Sequence, residues 1–125
     1  MIPDINSTIS YNLLKTIQAQ NKKYVLLYFW SPHCPPCFEN IPMLKKFESN
    51  GIGIINIFFM DDNEIELVEK QISRFEIPGI NFRSSPQLTK YFSQNGFPYS
   101  VLVDASTNKI LSSSHLIEEH EKYLK

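Results

Sequence analysis

The chain has 125 residues and a formal net charge of −1, with 42% hydrophobic and 20% charged residues. This length suits one domain spanning residues 1–125, and the composition is that of a folded globule rather than a disordered or fibrous chain. The near-zero charge gives no electrostatic basis for binding nucleic acid. The first twelve residues lack the charged and apolar regions of a signal peptide, and no apolar run approaches the roughly 20 residues that span a bilayer.

The first half of the chain alternates between helical and extended patterns. Apolar residues at helical spacing predict a helix over residues 7–20, and the unbroken apolar run Tyr24–Trp30 predicts a strand that is buried on both faces. Residues 31–33 interrupt this run. A second helix is predicted from Cys37 to about Ser49, where the Asn-Gly pair at 50–51 ends it, and a second buried strand covers residues 52–60.

The second half carries the remaining predicted elements. A helix capped by residues 61–63 runs to about Phe75, and Pro98 opens a strand over Tyr99–Asp104. We also expect a turn at 78–79, a short strand at 80–82, a helix from Ser84 or Ser85 to Asn95, a hairpin strand at 109–111 and a closing helix at 116–124.

The order of these elements predicts an α/β fold. The early strand-helix-strand units imply parallel pairing, because parallel neighbours need a long crossover, and the late hairpin adds antiparallel strands. The prediction is a mixed central β-sheet flanked by helices on both faces.

The chain has only two cysteines, Cys34 and Cys37. A disulfide between them closes a four-residue loop and is worth roughly 2 kcal/mol, which is little for a structural bridge. The pair follows a buried strand and stands at the start of a helix, whose N-terminal N–H groups favour a thiolate. This setting predicts a reversible redox pair in which Cys34 attacks and Cys37 resolves the mixed disulfide.

Pro35 and Pro36 separate the two cysteines, and neither can donate a backbone N–H to the Cys34 sulfur. We therefore infer modest thiolate stabilisation, which favours a reducing pair over a strongly oxidising one. No bound cofactor is expected, since the electrons reside in the cysteines themselves.

The two cysteines have two other interpretations. They could be incidental packing residues, although the strand-turn-helix setting argues against this. A zinc site usually takes four Cys or His ligands. Here His33 adjoins Cys34, which makes joint ligation awkward, and His115 and His120 are five residues apart, a spacing that puts two side chains on different faces of a helix. We predict no metal site.

These residues resemble the thioredoxin superfamily, whose active-site motif reads F-W-x-x-x-C-x-P-C. Residues 29–37 read FWSPHCPPC, Pro42 stands five residues after Cys37 as in the family, and Pro98 matches the family's cis-proline in order and context. The resemblance implies a thioredoxin fold. The extra segment 80–95, inserted before the cis-proline strand, resembles the bacterial extracytoplasmic thiol-disulfide reductases (TlpA/ResA-like) linked to cytochrome c maturation.

The resemblance also implies a function, which is thiol-disulfide exchange on a protein substrate. It places Trp30, His33, Pro35 and Pro36 in the motif around the dithiol, with part of the Trp30 ring lining a groove. Phe97 and Pro98 would hold the substrate backbone beside Cys34. A protonated His33 would favour the Cys34 thiolate, whereas a plain surface histidine would have no effect. We expect a monomer that receives electrons from an upstream thiol donor; an extracytoplasmic location is favoured and a cytoplasmic one stays open.

Several positions depart from the family pattern. Tyr28 replaces the buried acid of thioredoxin, so Cys37 has to lose its proton by another route. Asn40 stands where the extracytoplasmic reductases tend to have a glutamate, and Glu39, one residue early, is interpreted as a solvated helix residue. Tyr99 replaces the usual threonine after the cis-proline.

The direction of exchange also stays open, because a disulfide oxidase or isomerase runs the same chemistry in reverse. A non-catalytic binding module of the same fold is a further alternative, although both cysteines are present. A copper-delivery protein of this fold would need one more residue between them.

Overall fold

The computed structural model describes residues 11–60, 62–84 and 96–124. Its helices and strands follow the predicted order. They are α1 (Tyr11–Ala19), β1 (Tyr24–Trp30), α2 (Pro35–Glu39), α3 (Ile41–Ser49), β2 (Gly53–Phe58), a 3₁₀ turn (Asp62–Glu64), α4 (Ile65–Phe75), β3 (Ile80–Arg83), β4 (Tyr99–Asp104), β5 (Lys109–Ser114) and a C-terminal 3₁₀ helix (Ile117–Tyr123).

The five strands form one mixed sheet in the order β3-β2-β1-β4-β5. The β1, β2 and β3 strands pair in parallel, whereas β4 is antiparallel to β1 and β5 is antiparallel to β4. This is the thioredoxin fold that the sequence predicts. The active-site segment begins where β1, the central strand, ends.

Both faces of β1 are covered, which explains why its sequence is an unbroken apolar run. Leu26, Tyr28 and Trp30 point to the face on which α3, α4 and the C-terminal 3₁₀ helix pack. The alternate residues of β1 point to the opposite face, against α1. Every β1 residue from Val25 to Trp30 is buried. The predicted sheet with helices on both faces is therefore confirmed.

The single helix predicted over 37–49 is instead two helices that begin earlier, at Pro35. The division falls at Asn40, and Pro42 stands in the first turn of α3. Proline is tolerated in the first turn of a helix, where its missing N–H costs no hydrogen bond, but inside a helix its ring clashes with the preceding turn. A helix that contains Pro42 must therefore start anew close to it.

Other boundaries differ modestly. The β5 strand continues to Ser114, and the closing helix predicted over 116–124 is a 3₁₀ helix over Ile117–Tyr123. The helix predicted after Ser84 falls on residues 85–95, outside the described residues, as does the start of the helix predicted over 7–20. Within the described ranges, no helix is long and apolar enough to cross a membrane.

Candidate functional site

The Cys34–Cys37 pair stands at the junction of β1 and α2. Cys34 is the N-cap residue of α2 and keeps an extended backbone, while Pro35 occupies the first turn. The loop is closed by two backbone hydrogen bonds, from Cys34 N–H to Ser31 O (3.2 Å) and from Cys37 N–H to Cys34 O (3.0 Å). The two sulfurs form a disulfide, and the Cα atoms lie 5.4 Å apart.

The two cysteines differ in their access to solvent. Cys34 is 9% exposed, whereas Cys37 is 1% exposed and packs into the core on the α3 face of the sheet. A substrate disulfide can therefore approach only the first sulfur without disturbing the core. This asymmetry favours Cys34 as the attacking sulfur and Cys37 as the resolving one.

Trp30 lies in the core close to the dithiol. Its ring meets that of Phe38 edge-on at a centroid distance of 5.6 Å and that of Phe58 at 5.8 Å. The side chain is 1% exposed. The expectation that part of its face lines a groove is therefore wrong in this structure, because Phe38 and Phe58 cover the ring.

Tyr28 fills the place where thioredoxin has a buried acid. Its hydroxyl donates a 2.6 Å hydrogen bond to the backbone carbonyl of Cys37 and accepts one of 3.3 Å from the Asn40 side chain. Burial raises the pKa of the Tyr28 phenol above its usual value, since the charged form would be poorly solvated. Tyr28 is thus a neutral tether for the active-site helix and not a base. Glu39, on the same helix, is exposed.

The α4 helix and its preceding turn hold the other side of the active-site loop. The Gln71 side-chain amide donates a 2.9 Å hydrogen bond to Pro32 O. The ring of Phe75 stacks on that of Phe38, one residue after Cys37, at 4.7 Å. These partners are far apart in sequence, and the amphipathic pattern of α4 indicates only that one of its faces is buried. Sequence reasoning therefore missed them.

The His33 imidazole lies on the loop immediately before Cys34 and contacts a carboxylate. Its Nε2 atom meets Oε2 of Glu64, the last residue of the 3₁₀ turn before α4. The two side chains are unequally exposed, 66% for His33 and 16% for Glu64. Whenever the imidazole is protonated, the two form an ion pair. No sequence signal pointed to Glu64.

The peptide bond between Phe97 and Pro98 is cis, as predicted. The antiparallel register pairs Phe29 with Tyr99, which places Pro98 beside the end of β1 and hence at the sheet edge where the dithiol loop begins. His115 supports this segment by donating a 2.9 Å hydrogen bond from Nδ1 to Pro98 O, since a carbonyl can only accept. Sequence reasoning considered His115 only as a metal ligand.

Phe97 itself is half-buried and packs on Phe59, which follows β2, with ring centroids 4.9 Å apart. Phe59 is in turn fixed to the active-site strand, because its N–H donates to Trp30 O at 3.0 Å. The segment before the cis-proline thus carries an aromatic surface.

The remaining histidine, His120, is fully buried and forms a 2.7 Å hydrogen bond through Nε2 with the Ser100 hydroxyl. Burial lowers the pKa of His120 to about 4. In the part of the chain that the structure describes, no three His, Cys, Asp or Glu residues gather where they could hold a metal ion.

The site can now be compared with known proteins. A family model described as thioredoxin-like matches residues 21–110, which is more than half of the chain. The thioredoxin domain of a thiol-disulfide oxidoreductase from Bacteroides vulgatus is 25% identical, with a TM-score of 0.69, over 94% of this chain and 86% of that chain. No curated protein matches the sequence.

Two further solved structures share the fold at lower identity. A thioredoxin-like protein from Aeropyrum pernix is 19% identical, with a TM-score of 0.72, over 86% of this chain and 80% of that one. StoA from Bacillus subtilis is 20% identical, with a TM-score of 0.65, over 84% and 85%. The predicted resemblance to the thioredoxin superfamily and its bacterial thiol-disulfide oxidoreductases is confirmed. The chain therefore belongs to the thioredoxin-like family, and its Cys34–Cys37 pair makes it a thiol-disulfide oxidoreductase.

Proposed function

We propose that this oxidoreductase works in the reducing direction, as a protein disulfide reductase. The observation that carries the exchange chemistry is the unequal exposure of the two cysteine residues at the start of α2, 9% for Cys34 and 1% for Cys37, and the proposed direction rests on the backbone around Cys34. One sulfur can be reached by a bulky protein disulfide, and the other is held one helical turn behind it.

The reaction takes two exchange steps. The Cys34 thiolate attacks one sulfur of the substrate disulfide, so that a mixed disulfide forms and the other substrate sulfur leaves as a thiolate that takes up a proton. Cys37 then loses its proton and attacks Cys34, which releases the second substrate thiolate. Two electrons pass from the dithiol to the substrate, and the protein is left with the Cys34–Cys37 disulfide.

Phe97 and Pro98 are proposed to hold the substrate backbone during both steps. The strand register brings the cis-proline segment to the end of β1, next to the dithiol loop. The half-buried ring of Phe97 and its packing on Phe59 give this segment a fixed apolar surface. A substrate segment that lies along it would present its disulfide to the exposed side of Cys34.

The reducing direction is supported by the backbone around Cys34. Pro35 and Pro36 have no N–H group, and the N–H of Cys37 already donates to the Cys34 carbonyl at 3.0 Å. Little backbone stabilisation is left for a Cys34 thiolate, and a less stabilised thiolate belongs to a more reducing pair.

Repeated turnover needs a donor that reduces the Cys34–Cys37 disulfide, and a second protein dithiol of lower potential meets this need. The likeness of the segment 80–95 to the insertion of extracytoplasmic reductases supports a location outside the cytoplasm. There the donor would be a membrane-borne thiol carrier.

The test is the redox midpoint of the Cys34–Cys37 pair, measured by equilibration in graded dithiol buffers and trapping of free thiols. We expect a value near that of thioredoxin, about −270 mV, together with reduction of a model protein disulfide. A value near the strongly oxidising range, about −120 mV, would instead assign the protein to disulfide formation. A reduced protein that never forms the disulfide would point to a binding module.

A further inference from the structure

On the basis of the proposed exchange chemistry, we propose that Glu64 is a positioning residue for the active site. Its carboxylate holds the His33 imidazolium beside Cys34, and this positive charge stabilises the Cys34 thiolate. Glu64 lies outside the active-site motif, and it acts through His33 without touching either sulfur in the contacts described above.

The exposures of the two side chains indicate that Glu64 is the fixed partner and that His33 is the one held in place. Glu64 is 16% exposed, so its carboxylate has lost most of its water and depends on a partner. His33 is 66% exposed and keeps its own hydration when charged. Whenever the imidazole is protonated, its contact with the Glu64 carboxylate keeps that charge in place on the loop before Cys34.

Contacts other than the ion pair dock α4 against the active-site loop. Gln71, two turns further along α4, donates to Pro32 O at 2.9 Å, and Phe75 stacks on Phe38 at 4.7 Å. The helix should therefore stay in place when Glu64 loses its charge. A change that removes only the charge then tests the electrostatic role apart from the packing of α4.

The expected sign follows from the positions of the charges. Cys34 follows His33 directly in the chain, and Glu64 contacts the His33 ring from the element packed against the active-site loop. The carboxylate opposes a thiolate, whereas the imidazolium favours it. His33 is next to Cys34 in the chain, whereas Glu64 meets the Nε2 atom of His33 from a different element, so we expect the imidazolium to dominate.

The experiment measures the alkylation rate of Cys34 as a function of pH, in a Cys37→Ser background where Cys34 is the only thiol. Glu64→Gln should move the profile to higher pH and slow alkylation about threefold below its midpoint. His33→Gln, at an exposed position that places no demand on folding, should have the same effect. The double variant should show no further loss, because both changes remove one interaction.

The matched control is Glu66→Gln, which removes a negative charge from the exposed side of the first turn of α4. We expect it to follow the parent profile. The proposal is overturned if Glu64→Gln leaves the profile unchanged, moves it to lower pH, or adds to the effect of His33→Gln. Alkylation needs no substrate or donor, so this result stands apart from the redox midpoint that tests the proposed function.

Discussion

The hydroxyl of Tyr28 donates a 2.6 Å hydrogen bond to the backbone carbonyl of Cys37. This bond joins the centre of β1 to the helix that carries the resolving cysteine, at the position where thioredoxin has a buried acid. Because burial raises the pKa of the phenol, Tyr28 stays neutral and cannot take a proton from Cys37. The active site therefore has a structural tether in place of an internal base.

Replacing Tyr28 by Phe should destabilise the protein by about 1–3 kcal/mol, because the carbonyl of Cys37 loses its buried donor. Asn40 loses its partner in the same variant. Urea unfolding of the oxidised protein measures the change. Tyr24→Phe, at the start of the same strand, is the matched control and should cost much less. Equal stabilities for the two variants would show that the tether contributes nothing.

The two cysteines should differ in reactivity when reduced. Limiting iodoacetamide, followed by peptide mass mapping, should label Cys34 at least about tenfold faster than Cys37, because Cys37 is 1% exposed and Cys34 is the more accessible of the two at 9%. In denaturant the two rates should converge, which provides the control. Faster labelling of Cys37 in the native protein would reverse the roles assigned to the pair.

Sequence reasoning located the dithiol, the cis-proline and the central strand because each has a local signature. The run Tyr24–Trp30 is apolar or aromatic throughout, so both faces of the strand are apolar, and Pro98 directly precedes a strand. The contacts of Glu64 with His33 and of Gln71 with Pro32 join residues 31 and 39 positions apart. They depend on how α4 docks, which no local pattern specifies.

The run Tyr24–Trp30 was predicted to be buried, but the complete burial of the Trp30 ring was missed for the same reason. A tryptophan next to an active-site loop is compatible with either a groove or the core, and the choice depends on which rings cover it. In the structure Phe38 and Phe58 do so, from elements that follow Trp30 in the chain. The division of the helix at Asn40, in contrast, agrees with the kink that the resemblance to the family implies at Pro42.

Gly79 should tolerate no side chain. Its φ of +88° lies in the left-handed region, and a Cβ atom there would collide with the backbone carbonyl of Ile54 in β2. Gly79→Ala should therefore cost more than about 2 kcal/mol, from backbone strain together with a clash that only movement of β2 can relieve. Urea unfolding measures this free energy.

Gly51 offers a matched control, because its φ is also +88° but a Cβ atom there would meet nothing within 4 Å. Gly51→Ala should lower the free energy of unfolding only through the strain of a positive φ at alanine, by about 1 kcal/mol. If the two alanine variants are equally stable, the close approach of residue 79 to β2 has no energetic weight.

The buried His120 should make the protein less stable in mild acid. Its pKa is lowered to about 4 in the folded state by burial, against 6.5 for an ordinary histidine. Between these values the unfolded chain binds a proton that the folded protein refuses, so the free energy of unfolding is highest above pH 6.5 and falls as the pH drops towards 4. The loss attributable to His120 amounts to at most about 3 kcal/mol.

Urea unfolding at a series of pH values between 7 and 4 isolates this contribution when the parent is compared with His120→Phe, which removes the titrating group. Carboxylates act on both proteins alike, so only the difference between the two curves reports on His120. The free energy of unfolding of the parent minus that of the variant should fall as the pH falls, because only the parent takes up a proton at residue 120 when it unfolds. Parallel curves for the parent and His120→Phe would show that the folded protein accommodates the charged imidazole, which its burial beside Ser100 argues against.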